Sequence, residues 1–280
     1  MSFTEYRPAE ELADHIDAYW VRQLDSADGH RRRVYADGCA DVLVNTGNST
    51  AYYNPLARLD VPLAFEPGQM YLAGTMTAYG IVSTGAAASF AGVRFKAGGL
   101  FAMFGMSMAD SVDSISEFSD NELFELLRKM GGSPLGLDDY FRVKMNAAGK
   151  RRIAGHDFIS IYKSVYHRKG QVAVEDLAKE WHVSKRTLER IFRETVGIPP
   201  KEFITIIRFQ EVLRRLRQLK QPDAVEGRSG VAEESLLRLA FELGYYDHAH
   251  LTHEFKRYAG LRPSELSRFY KTGIASGQYF

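Results

Sequence analysis

The chain has 280 residues, 45% hydrophobic and 25% charged, with a formal net charge of +1. That is ordinary globular composition with apolar material for two domains, and it holds no run of about 18 uncharged apolar residues that would span a membrane. A single cysteine, Cys39, excludes an internal disulfide and any multi-cysteine zinc or iron–sulfur site.

The start, Met1-Ser2-Phe3-Thr4-Glu5-Tyr6-Arg7, lacks the basic-then-apolar order of a secretory signal, so a cytoplasmic location without membrane contact is expected. The near-neutral total hides a polarity. Residues 1–150 carry 13 basic and 19 acidic side chains, a net of −6, whereas residues 151–280 carry 23 and 16, a net of +7. An acidic half joined to a basic half suggests two tasks, with nucleic acid as a candidate partner of the basic one. The expected division is 1–150 for an effector-binding or dimerisation domain and 151–280 for DNA binding.

From Val34 to about Phe104 the chain alternates short apolar runs with turn signals. Val42-Leu43-Val44, Ile81-Val82-Ser83-Thr84 and Phe90-Ala91-Gly92-Val93-Arg94-Phe95 are separated by Asp37-Gly38, Gly47-Asn48, Asn54-Pro55 and Pro67-Gly68. This predicts a small antiparallel β-barrel or sandwich. Helices are expected over 116–130, capped from Ser119-Asp120-Asn121-Glu122 and ended by Gly131-Gly132, and over 137–148. The half is rich in aromatics, among them Tyr19, Trp20, Tyr35, Tyr53, Phe90 and Phe95. Two readings fit them: an aromatic-lined effector pocket at a barrel mouth, or sheet residues packing against one another. Arg94, inside an apolar strand, is placed to pair with Asp41 or with an acidic ligand. Only His15 and His30 occur in this half, too few to suggest a metal site.

In the basic half, apolar spacing predicts a helix over 153–168 through Ile153, Phe158, Ile161, Tyr162 and Val165, then a second over Val174 to Trp181. His182-Val183 forms a turn. Ser184 is an N-cap for a third helix, Lys185 to Thr195. Leu188, Ile191 and Phe192 share its apolar face. Lys185, Arg186, Glu189, Arg190 and Arg193 lie opposite, a cationic face suited to phosphates and guanine edges, or simply to water. A long helix, 201–219, follows; its Arg208, Arg214, Arg215 and Arg217 could reach phosphates or remain solvated. Residues 221–230 have loop composition.

The third-helix pattern then recurs at an offset of 63. Leu188-x-x-x-Phe192-x-x-x-x-Gly197-x-x-Pro200-x-x-Phe203 is matched by Leu251-x-x-x-Phe255-x-x-x-x-Gly260-x-x-Pro263-x-x-Leu266. The second unit begins with a helix over 236–243, turns at Gly244-Tyr245-Tyr246, and caps a helix over 248–258 with Asp247. His248, Ala249, His250, Thr252, His253 and Lys256 fall outside its buried face. The His248, His250 and His253 spacings are not the i,i+4 pairing of helical metal ligands, and no acidic partner is expected beside them.

These residues resemble the AraC/XylS family of bacterial transcription regulators. The match covers about 156–268 and includes Ala178, Val183-Ser184, Leu188-x-Arg190-x-Phe192, Gly197, Pro200, Leu239-Ala240, Leu243-Gly244-Tyr245, Asp247, Leu251, Phe255-Lys256, Gly260, Pro263 and Leu266. The stretch from Leu243 to Pro263 is similar to the family signature. The resemblance implies a seven-helix domain of two helix-turn-helix units on a connecting helix, an α+β protein in all. It also implies double-stranded DNA as partner, with Arg186, Glu189 and Arg190 reading bases from the first unit. His248, Ala249, His250, Thr252 and His253 would do so from the second. RNA polymerase, a small-molecule effector and a second copy of the chain are the other candidate partners. The sequence departs from the family pattern in two places. Residues 221–233 lengthen the connection, and His253 stands where the family often has Arg. The N-terminal half is similar to an uncharacterised barrel-like domain found before such DNA-binding domains.

No catalytic residue and no cofactor is expected. A cysteine-based activity would need a His base beside Cys39, and Asp37-Gly38-Cys39 reads more simply as a turn into a strand.

Overall fold

A computed structural model describes residues 2–23, 30–55, 62–85, 88–131, 133–149, 151, 153, 155–218, 238, 241–263 and 265. Ten strands and three helices come first: β1 (Ser2–Tyr6), β2 (Ile16–Gln23), β3 (His30–Val34), β4 (Ala40–Asn45), β5 (Ala51–Pro55), β6 (Leu63–Phe65), β7 (Met70–Ala73), β8 (Gly80–Thr84), β9 (Ser89–Phe95), α1 (Gly99–Phe104), β10 (Ile115–Glu117), α2 (Asn121–Arg128) and α3 (Leu137–Ala148). Five more helices follow: α4 (Phe158–His167), α5 (Val174–Glu180), α6 (Lys185–Thr195), α7 (Pro200–Gln218) and α8 (His248–Ala259).

The α+β expectation holds, with sheets in the N-terminal part and helices in the C-terminal part, but the strands do not close into a barrel. They form a six-stranded antiparallel sheet, β1-β2-β9-β4-β7-β10, and a separate four-stranded one, β3-β8-β5-β6. The large sheet is covered on both faces, which explains why its central strands read as continuous apolar runs. Along β4, Val42 and Val44 join a core with Leu100, Leu123, Leu127 and Phe141 of the helices, while Leu43 between them joins Val34, Tyr53, Phe65 and Val82 of the small sheet. Along β2, Tyr19 and Val21 face the helices and Trp20 faces the small sheet. The indole fits because residue 92 opposite it has no side chain; a Cβ there would lie 2.6 Å from the Trp20 ring.

Four element expectations change. The strand region expected to reach about Phe104 ends at Phe95, and Gly99–Phe104 form helix α1. Strands begin at residue 2, not near 34. The region expected to be helical from 116 opens with β10, and α2 starts only after Asp120, whose carboxylate accepts from the Leu123 N–H at 3.0 Å. Helix α4 starts at Phe158 rather than 153, because Gly155 turns with φ +80° and Asp157 caps the helix. Ile153 instead pairs with His156 in an isolated bridge.

The C-terminal helices share one core. Phe158, Ile161, Tyr162 and Val165 of α4 pack with Leu188, Ile191 and Phe192 of α6, Phe203 and Phe209 of α7, and Leu251 and Phe255 of α8, all essentially inaccessible. Tyr162, Phe192 and Phe203 meet edge to face at 4.8 to 5.6 Å between ring centres. No helix among the described residues is long and apolar enough to cross a membrane.

Candidate nucleic-acid interface and the cavity behind it

Helix α6 is set by its ends. The Thr187 N–H donates to Ser184 Oγ at 3.0 Å, and the turn before it uses His182 at φ +51° with Val183 N–H bonded back to the Ala178 carbonyl at 3.0 Å. This orientation buries Leu188, Ile191, Phe192 and Thr195 and leaves Lys185, Arg186, Glu189, Arg190 and Arg193 exposed. Lys185 pairs with Glu175 of α5. Among the described residues, Arg186, Arg190 and Arg193 have no ion-pair partner, so these three guanidinium groups face solvent uncommitted.

Helix α8 repeats the plan with Asp247 as cap, its carboxylate accepting from the His250 N–H at 2.7 Å. Leu251, Glu254, Phe255 and Tyr258 are buried; Ala249, His253 and Lys256 are exposed and Thr252 is half-buried. Only the backbone of His248 is described, at the helix start. His250 does have an acidic partner, contrary to expectation: its Nε2 lies 3.0 Å from Glu254 Oε1, one helical turn on, and its ring packs on Tyr245. Of the preceding helix of this unit, expected over 236–243, residues 238, 241 and 242 are helical and Leu243 is a buried turn residue; its other residues, and the 221–233 segment, lie outside the described residues.

Several basic side chains of α7 that could have reached DNA are committed internally. Arg208 donates twice to the Gly170 carbonyl, at 3.1 and 3.0 Å, and lies over the Tyr245 ring. Arg214 and Arg215 both grip Glu211, as does Lys169, and the Arg214 hydrogen bonds hold the Glu211 carboxyl down at about 2. The Arg217 side chain lies outside the described residues. Periodicity could not have distinguished these bound arginines from free ones, because the partner of Arg208 is a backbone carbonyl on a distant turn.

A cavity of about 600 Å³, part of it open to solvent, lies in the sheet domain. Tyr35, Tyr53, Asp37, Asp41, Arg94 and Asp113 are among its walls. Arg94 is buried and sits 3.6 Å from Asp37, 3.5 Å from Asp41 and 3.6 Å from Glu5, so the expected Asp41 pairing is one of three. Burial pushes the Asp37 carboxyl up to about 6, against the pull of Arg94. Most aromatics of the half pack in cores; Tyr35 and Tyr53 are the ones that reach the cavity. Cys39 also lines it, and burial pushes its thiol up, which disfavours the nucleophilic thiolate. Its N–H donates to Asp37 Oδ1 at 2.9 Å, the turn into β4 that the sequence suggested.

Three wall segments of the cavity run directly into the helical domain. After Met76, Tyr79 donates its N–H to the Arg257 carbonyl near the end of α8 at 3.2 Å. Before Asp113, Met108 donates to the Glu194 carbonyl near the end of α6 at 2.8 Å. Beside Asp37, the Ala36 carbonyl accepts from Gln210 of α7 at 2.6 Å. The first two segments are tied to each other, since the Asp113 carboxylate accepts from the Thr77 N–H at 2.7 Å and its hydroxyl at 2.6 Å. Nothing in the sequence signalled the three contacts to the helical domain, which join residues 86 to 178 positions apart.

Comparison with known proteins finds family matches in two separate parts of the chain. Residues 4–117 match a family described as "Domain of unknown function (DUF6597)", and residues 177–268 match one described as "Helix-turn-helix domain". An "Uncharacterized HTH-type transcriptional regulator" of Haemophilus influenzae is 32% identical over 95 residues, covering 34% of this chain; the chain spans 28% of that relative's length. Among solved structures, ToxT from Vibrio cholerae O395 bound to (E)-4-(8-methylnaphthalen-1-yl)but-3-enoic acid is similar at 12% identity and a TM-score of 0.48, over 96% of this chain and 100% of that one. The AraC-like transcriptional activator CuxR is similar at 13% identity and a TM-score of 0.33, over 76% and 79%. The chain carries a helix-turn-helix domain of the AraC type in its C-terminal part, preceded by a DUF6597 domain.

Proposed function

We propose that the protein is a sequence-specific DNA-binding transcription regulator whose N-terminal domain, residues 1–150, controls the DNA-binding domain, residues 151–280, in response to a small molecule. The observation that carries this reading is the row of Arg186, Glu189, Arg190 and Arg193 on α6, exposed and without ion-pair partners among the described residues, on a helix whose opposite face is locked into the core. A helix held that way can enter a major groove, where arginine bonds guanine O6 and N7 and phosphates set the register. Helix α8 offers Ala249, His250, Thr252, His253 and Lys256 to a second groove segment, with His248 at its start. Its ring nitrogens and one ammonium make it the weaker electrostatic contact, so α6 carries most of the specificity. Control by the N-terminal domain rests on its hydrogen bonds to the ends of both helices, since displacing either would change the spacing at which the two meet DNA.

The test is selection of duplex DNA from a random pool by the purified full chain at fixed salt, followed by sequencing. A motif of two boxes about one helical turn apart is expected. Enrichment of one box alone would remove α8 from recognition. Enrichment of no motif, with binding that falls equally for all sequences as salt rises, would reduce the interaction to phosphate attraction and overturn the reading.

A further inference from the structure

We propose that the cavity of the sheet domain binds a small organic cation, an amine or amidine carrying an aromatic or apolar body. The inference rests on the effector-controlled reading above and names the chemical class of the effector. The lining residues include three carboxylates, Asp37, Asp41 and Asp113, against one guanidinium, that of Arg94, which pairs with Asp37 and Asp41. A fourth carboxylate, Glu5, reaches the same guanidinium from the β1 side. The cavity wall is therefore acidic in balance although it contains a buried arginine. An anionic ligand would have to compete with Asp37, Asp41 and Glu5 for Arg94 and lie against the remaining negative charge. A cation supplies the charge that the wall lacks.

A further feature fits that class. The rings of Tyr35 and Tyr53 and the thioether of Met76 line the same space, and tyrosine faces attract ammonium and amidinium groups. The raised pKa of Asp37 has the same origin. Burial beside Asp41 leaves its negative charge undercompensated, and a neighbouring cation would stabilise it.

The site also explains how occupancy would be felt. Asp37 adjoins Ala36, which holds Gln210 of α7, and Asp113 holds Thr77 in the segment leading to Tyr79 and α8. A ligand drawing Asp37 and Asp113 toward one charge would pull on both segments.

The experiment is thermal denaturation of the full-length protein with benzylamine, benzamidine, benzyl alcohol or benzoate at equal ionic strength, with DNA binding measured in parallel without ligand. The two cations are expected to raise Tm saturably at up to about 10 mM, and the alcohol and benzoate to leave it unchanged. Asp37→Asn, which keeps an oxygen to accept from the Cys39 N–H, is expected to weaken cation binding at least about tenfold. If that variant does not fold, the wild-type protein supplies the test. Lowering pH from about 8 to about 5 protonates Asp37, which faces Arg94, Asp41, Asp17 and Cys39, and should weaken the cation and not strengthen the alcohol. Stabilisation by benzoate, stabilisation by none of the four, or cation binding indifferent to both Asp37→Asn and pH would each overturn the assignment. Sequence-specific DNA binding without any cation response would sink this inference alone, whereas a cation response without specific DNA binding would sink the proposed function.

Discussion

Tyr79, in the sheet domain, lies directly against Gly260, the residue that ends the second candidate recognition helix. Its N–H bonds the Arg257 carbonyl at 3.2 Å, and a Cβ added at position 260 would stand 2.3 Å from the ring. Gly260 also takes φ +65°, the left-handed cap conformation. Glycine is required twice here, once for its backbone and once for the ring above it. The two requirements separate in a double-mutant cycle read by urea unfolding. Gly260→Ala in the wild-type background should cost the left-handed strain, about 1–2 kcal/mol, plus the collision. In a Tyr79→Ala background it should cost the strain alone. Equal costs in both backgrounds would mean that the ring moves aside freely and that the sheet domain has no hold on α8.

Arg190 is exposed, partnerless among the described residues, and one turn beyond Arg186 on α6. Replacing it by alanine removes the proposed base contact without disturbing the buried face. Arg190→Ala should therefore weaken binding to the selected motif by about 5- to 150-fold, the equivalent of about 1–3 kcal/mol, with a much smaller loss on unrelated duplex at the same salt. An equal loss on both DNAs would make Arg190 a phosphate contact only.

The repeat made the helical half legible because the same positions do the same physical work twice. Leu188 and Leu251, Phe192 and Phe255 are all fully buried, and Gly197 and Gly260 both take positive φ after their helices. Ser184 and Asp247 are short polar side chains with one favoured use, and both cap as expected. The sheet half was less legible for a reason visible in β2. Ile16–Gln23 is buried on both faces, so alternation, the usual mark of a strand, is erased. The charged constellation was only partly readable: Asp41 could be placed beside Arg94 from proximity in pattern, but Glu5 reaches it from β1 across β2, a relation fixed by sheet order. Contacts such as Met108 to Glu194 depend on how two domains dock, which no local pattern encodes.

The two caps give a stability prediction that tests the helix starts independently of DNA. Ser184 Oγ and the Asp247 carboxylate each satisfy an N–H that would otherwise lack a helical partner, at 3.0 and 2.7 Å. Ser184→Ala and Asp247→Ala should each lower unfolding free energy by about 0.5–2 kcal/mol. Asp247 also places a negative charge at the positive end of α8, so its loss should shrink with added salt and that of Ser184 should not. Salt-independent losses at both positions would reduce Asp247 to a hydrogen-bond acceptor.

Asp37 predicts how stability follows pH. Its carboxyl titrates at about 6 in the folded protein, raised mainly by burial, against an ordinary value of 3.8. Between those values the folded chain holds a proton that the unfolded chain has released. Folding therefore takes up a proton, and the contribution of Asp37 falls as pH rises from about 4 through 6, then levels. Asp37→Asn stays uncharged throughout and lacks this slope, while it can still accept from the Cys39 N–H. Because Arg94 lies 3.6 Å away and the side chain is 25% exposed, the wild type should lose about 1–3 kcal/mol relative to the variant across that window. Denaturant unfolding at several pH values reads the difference directly. A difference that stayed flat would place the Asp37 charge in adequate solvent or in full balance with Arg94. A difference of opposite sign would mean that the Arg94 pairing outweighs burial.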